Sequence, residues 1–118
     1  MYSIKVEGNF SSAHNLKGYK GKCESLHGHN WKVETVVAGD TLDKTGMLMD
    51  FKELRSALYN VLDKLDHKYL NEIVYFKKAN PTSENIARYI YDRLKRQGVR
   101  VKSVTVWESE NSSATYVA

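Results

Sequence analysis

From Tyr2 to Phe10 the apolar side chains Tyr2, Ile4, Val6 and Phe10 occupy even positions and the polar Ser3, Lys5, Glu7 and Asn9 lie between them. That is the period of a half-buried strand, with Gly8 read as a bulge. Lys17 to Lys22, carrying Gly18 and Gly21, reads as a loop. After it His29, Trp31, Val33 and Val37 alternate with Asn30, Lys32 and Glu34, a second strand. Gly39 and Asp40 open a turn region. Asp50 with Glu53 forms a capping box ahead of Phe51, Leu54, Leu58, Leu62 and Leu65, which predicts a helix from about Phe51 to Leu65. A second helix begins after Pro81, capped by Thr82 or Ser83, sets Ile86, Ile90 and Leu94 on one face and stops near Gly98. Val101 to Trp107 and Ala114 to Val117, rich in β-branched residues, supply two more strands.

The order strand, strand, helix, helix, strand, strand is an α+β pattern: a four-stranded antiparallel sheet with two helices on one face. The other face and both edges stay open, so copies of the chain are expected to associate. At 118 residues, 42% apolar and 27% charged, the chain is expected to form a single domain over 1–118 with its own core. No apolar run reaches membrane-spanning length and the N-terminus lacks the apolar core of a signal peptide, so a cytoplasmic location without a membrane partner is expected. A net charge of +4 favours anionic partners. Because the cations are dispersed, a small anionic substrate fits better than nucleic acid. The single cysteine, Cys23, rules out an internal disulfide.

His27 and His29, one residue apart at the start of a strand, project from the same face roughly 6.6 Å apart at the backbone. His14 continues the even phase of the first strand, so three inward imidazoles converge if no bulge intervenes. Three nitrogen ligands with a fourth position open are the pattern of a catalytic zinc. Cys23, four positions ahead of His27, is either a fourth ligand that closes the site or a free thiolate acting as base or nucleophile. His67 beside Asp66 is suited to proton transfer or to ending a helix. Glu108 shares the phase of Val104 and Val106, and is either paired with donors or placed at the sheet end in water.

Phe10-Ser-Ser-Ala-His14, Cys23-Glu-Ser-Leu-His27-Gly-His29-Asn30, Gly46-Met-Leu-Met-Asp50-Phe51, Leu65-Asp66-His67, Pro81-Thr-Ser-Glu84-Asn85 and Trp107-Glu108 together resemble the 6-pyruvoyl-tetrahydropterin synthase family over nearly the whole chain. The short spacer between Cys23 and His27 is similar to the carboxy-forming branch of the queuosine pathway. The resemblance implies a tunnelling fold whose subunits join into a trimeric barrel and then a hexamer, with active sites shared between neighbours. It implies zinc on His14, His27 and His29, a catalytic triad of Cys23, Asp66 and His67, and pterin binding by Glu108, Thr82 and Ser83. It further implies conversion of 7,8-dihydroneopterin triphosphate to 6-carboxy-5,6,7,8-tetrahydropterin with release of acetaldehyde and triphosphate. Lys17, Lys20 and Lys22 are candidates for the triphosphate.

Two other readings compete. One is the pyruvoyl-forming reaction at the same zinc site, which eliminates triphosphate and releases no acetaldehyde. The other is a zinc-stabilised RNA-binding module, drawn from the basic balance and from Tyr19 and Trp31 as stacking platforms.

Overall fold

The computed structural model describes residues 1–19 and 24–118; Lys20, Lys22 and Cys23 therefore lie outside the described residues. Strands β1 (Tyr2–His14) and β2 (His27–Gly39) lead to helix α1 (Phe51–Leu62), a 3-10 turn (Leu70–Glu72), helices α2 (Val74–Lys78) and α3 (Ser83–Arg96), then strands β3 (Val101–Trp107) and β4 (Ser113–Val117). The sheet is antiparallel in the order β1-β2-β3-β4.

The alternation read from the sequence holds and runs further than Phe10. β1 and β2 pair without interruption from Tyr2 opposite Gly39 to His14 opposite His27. That register carries the inward face of both strands out to the histidines. Gly8 forms no bulge. It faces α1, where an added Cβ would lie 2.9 Å from Leu62 Cδ1, so the missing side chain is what lets the helix approach the strand. The irregularity in the sheet falls instead at Val36/Val37, opposite β3.

Val6, Phe10, Trp31, Val33, Val104 and Val106 pack under Leu54, Leu58 and Leu62 of α1 and Ile86, Ile90 and Leu94 of α3, forming one buried cluster on a single face of the sheet. The opposite face is polar: Lys32 Nζ lies 3.9 Å from both Glu7 Oε2 and Glu34 Oε1. Trp31 is 0% exposed and its ring stacks on Phe10, so it cannot serve as the RNA-stacking platform considered above. Its apolar area belongs to the core.

Helix α1 starts where expected, with the Asp50 carboxylate accepting from Lys52 N–H at 2.8 Å. It stops at Leu62, three residues short of expectation. Leu65 stays fully buried, but in a turn closed by Leu65 N–H and Asp66 N–H on the Leu62 carbonyl. Among the described residues no helix is long and apolar enough to cross a membrane.

Candidate metal centre and active site

The β1–β2 register delivers His14, His27 and His29 to one end of the sheet, with ring centroids 4.7–5.1 Å apart. His14 is 3% exposed, its ring edge-on to Trp31. Two of the imidazoles are oriented by backbone carbonyls: His14 Nδ1 bonds Pro81 O at 2.7 Å, and His27 Nδ1 bonds Ser25 O at 2.8 Å. A carbonyl only accepts, so each Nδ1 carries the proton and each Nε2 presents a lone pair.

Those lone-pair nitrogens face one another, His14 Nε2 to His27 Nε2, at 3.1 Å. Only a cation between them, a proton or a metal ion, makes that contact favourable. Zinc–nitrogen bonds of about 2.0–2.1 Å at tetrahedral angles put two ligand nitrogens about 3.3–3.4 Å apart, close to the observed spacing. His29 Nε2 is enclosed and makes no hydrogen bond among the described residues, although Glu108 Oε1 lies 2.9 Å away. Glu108 Oε1 is also 3.6 Å from His14 Nε2. One ligand atom from each of these four residues lies within 4.8 Å of every other, a group able to hold a metal ion. Burial lowers the His29 pKa, partly opposed by the Glu108 charge, and so favours the neutral, ligating imidazole. The donor set fits a nitrogen-seeking divalent cation.

Glu108 follows the last residue of β3, and its N–H donates to Ser112 O at 3.1 Å in the turn to β4. It is both in phase with Val104 and Val106 and at the sheet end. Its carboxylate turns toward the imidazoles while staying partly exposed.

Asp66 and His67 form a contact pair, Asp66 Oδ2 to His67 Nδ1 at 2.9 Å. Asp66 Oδ1 accepts from Ser11 N–H at 2.8 Å, and His67 N–H donates to Ser11 O at 2.6 Å, so the pair is fastened to the outer edge of β1. These hydrogen bonds, from Ser11 first and His67 second, hold the Asp66 carboxyl below its ordinary pKa. His67 has φ 54°, a left-handed conformation uncommon for a side chain of this size, and 83% of its side-chain surface is exposed. It points out to the surface rather than into the core.

Thr82 is the N-cap of α3, its hydroxyl accepting from Asn85 N–H at 3.1 Å, and Ser83 begins the helix. Thr82 directly follows Pro81, whose carbonyl orients His14. Lys17 is exposed. The carbonyls of Pro81 and Ser25 escaped the sequence reading because backbone acceptors leave no residue signature.

A family model described as 6-pyruvoyl tetrahydropterin synthase matches residues 3–118. The chain belongs to that family. It is 40% identical over 122 residues to a 6-carboxy-5,6,7,8-tetrahydropterin synthase of Synechocystis, covering 98% of this chain and 93% of the relative. It is also 38% identical to a dihydroneopterin monophosphate aldolase of Pyrococcus furiosus, covering 89% and 88% respectively. The solved 6-pyruvoyl tetrahydropterin synthase of Caenorhabditis elegans superposes with a TM-score of 0.85 at 29% identity, covering 99% of this chain and 95% of that one. The expected tunnelling fold is thus the observed one: four antiparallel strands with the two main helices on one face.

Proposed function

We propose that this chain, as a single domain over 1–118, converts 7,8-dihydroneopterin triphosphate, with one water, to 6-carboxy-5,6,7,8-tetrahydropterin, acetaldehyde and triphosphate, a carbon–carbon lyase step in queuosine biosynthesis. The observation that carries the reading is the lone-pair contact of His14 and His27 beside the enclosed His29 Nε2, in a family whose relatives include 6-carboxy-tetrahydropterin synthases.

In this reading His14, His27 and His29 hold zinc, with Pro81 O and Ser25 O fixing two of the rings. Bound zinc supplies Lewis acidity toward the oxygens of the substrate side chain. Cys23 removes a proton from that side chain. His67, its Nδ1 held by Asp66, leaves Nε2 to exchange protons with the substrate. Glu108 accepts hydrogen bonds from the amino-pyrimidine edge of the pterin, and Thr82 and Ser83 sit beside it at the start of α3. Lys17, with Lys20 and Lys22, offers positive charge to the triphosphate. The outward display of His67 supports a homo-oligomer, trimer or hexamer, in which the Asp66–His67 pair serves a site completed by a neighbouring copy. The partner is a small pterin in the cytoplasm rather than nucleic acid or membrane.

The likeness to the Pyrococcus aldolase favours a second reading, cleavage of a dihydroneopterin phosphate at the same metal. Incubating the zinc-replete protein separately with dihydroneopterin triphosphate and monophosphate tests both. Acetaldehyde and the carboxylated pterin from the triphosphate support the first. A pyruvoyl pterin without acetaldehyde, or turnover of the monophosphate alone, overturns it.

A further inference from the structure

The outer edge of β1 stays occupied beyond the end of the strand. Ser11 is held by Asp66 and His67, and Ala13 N–H donates to Lys68 O at 3.0 Å. Two and four residues further on, side-chain amides take the place of a partner strand. Asn71 Oδ1 accepts from Asn15 N–H at 3.0 Å while its Nδ2 donates to Asn15 O at 2.7 Å. Asn80 does the same to Lys17, accepting from its N–H at 2.9 Å and donating to its carbonyl at 2.8 Å. Each carboxamide reproduces the donor and acceptor pair of a β-bridge.

Both amides are themselves held. Asn71 is 4% exposed. The main-chain carbonyl of Asn80 accepts from Asn85 Nδ2 at 2.9 Å and Thr82 N–H at 2.8 Å, beside the Pro81 carbonyl that orients His14. Between the two clamped residues, Leu16 O accepts from Glu24 N–H at 2.8 Å, and Asn15 Nδ2 donates to Glu24 O at 3.1 Å. These bonds hold Asn15 and Leu16 against Glu24, the residue that follows Cys23 in sequence. Glu24 leads directly to Ser25, the acceptor for His27.

We propose that Asn71 and Asn80 are positioning residues: by clamping the backbone of Asn15 and Lys17 they fix Glu24, the residue that follows Cys23 in sequence, relative to His14 and His27. The inference rests on the proposed function. Both side-chain amides are engaged by the main chain of Asn15 and Lys17. Their effect is to hold Lys17 and Glu24 in place, and an error of about 1 Å in placing a reacting group costs up to about a hundredfold in rate.

Asn80→Ala is the sharper test, because the main-chain carbonyl that Asn85 and Thr82 use remains. In the zinc-loaded protein the expected result is unchanged zinc stoichiometry, faster tryptic cleavage after Lys17, Lys20 and Lys22, and kcat lowered about tenfold or more. KM for dihydroneopterin triphosphate stays within about twofold of wild type, since no ground-state contact is removed. Asn80→Asp, which keeps the acceptor for Lys17 N–H, falls between wild type and Asn80→Ala. Asn71→Ala, at a buried position, shows the same kcat loss with a lower melting temperature. Wild-type kcat in Asn80→Ala, or loss of its zinc, overturns the inference even if tryptic cleavage quickens. Absence of turnover by the wild-type protein instead overturns the functional reading on which it rests.

Discussion

His14 Nε2 and His27 Nε2 meet at 3.1 Å with both protons committed elsewhere, to Pro81 O and Ser25 O. Two acceptors so placed repel unless positive charge lies between them, and His29 Nε2 adds a third nitrogen without a hydrogen bond among the described residues. The strand register produces this crowding, and a bound cation would resolve it.

Replacing one of the three imidazoles should therefore remove the metal rather than merely weaken substrate binding. His27→Ala is expected to fall below stoichiometric zinc by elemental analysis while the β-sheet far-ultraviolet spectrum persists. Its kcat should fall by about a thousandfold or more, the worth of several kcal/mol of charge stabilisation. Full zinc occupancy in this variant contradicts the ligand assignment.

Cys23→Ala separates the two roles open to the thiol. With Cys23 as proton acceptor, turnover is lost and zinc and oligomer are retained. Loss of zinc together with the thiol marks a closed, four-ligand structural site instead.

Glu108 stands close enough to His29 and His14 to be either a ligand or a pterin anchor. The anchor role predicts that Glu108→Gln keeps its zinc and raises KM about tenfold to a hundredfold, the cost of charge-assisted hydrogen bonds of about 1.5–3 kcal/mol. Equilibrium dialysis for zinc and steady-state kinetics on one preparation decide between the roles; zinc loss with unchanged KM contradicts the anchor.

Asp66 gives the fold a pH signature. Its folded pKa lies below the unfolded value of about 3.9, so its hydrogen bonds to Ser11 and His67 stabilise the protein above that pH. The contribution disappears as pH falls from there through the lowered folded value. Thermal unfolding of Asp66→Asn against wild type should show a gap at pH 7 that closes below about pH 4. A gap independent of pH assigns the effect to packing.

The period-two pattern of β1 and β2 made the histidine cluster legible, because one unbroken register suffices to bring His14, His27 and His29 together. The same pattern placed Glu108 on the correct face. Helix periodicity overran at Leu65, since an apolar residue at helical spacing is buried equally well by the turn that follows Leu62, and the positive φ of His67 has no glycine to announce it. Asn71 and Asn80 left no trace in the pattern. Their partners are main-chain atoms 56 and 63 residues away in sequence, reached only once the 3-10 turn and the segment ahead of α3 fold against the residues that follow β1.

The most direct measurement is anomalous diffraction at the zinc edge from crystals of the zinc-loaded assembly. The expected result is one zinc about 2.0–2.1 Å from a nitrogen of each of His14, His27 and His29, with a fourth position held by water or substrate. Rings directed at separate points, or a zinc enclosed by four protein atoms, contradict the central claim.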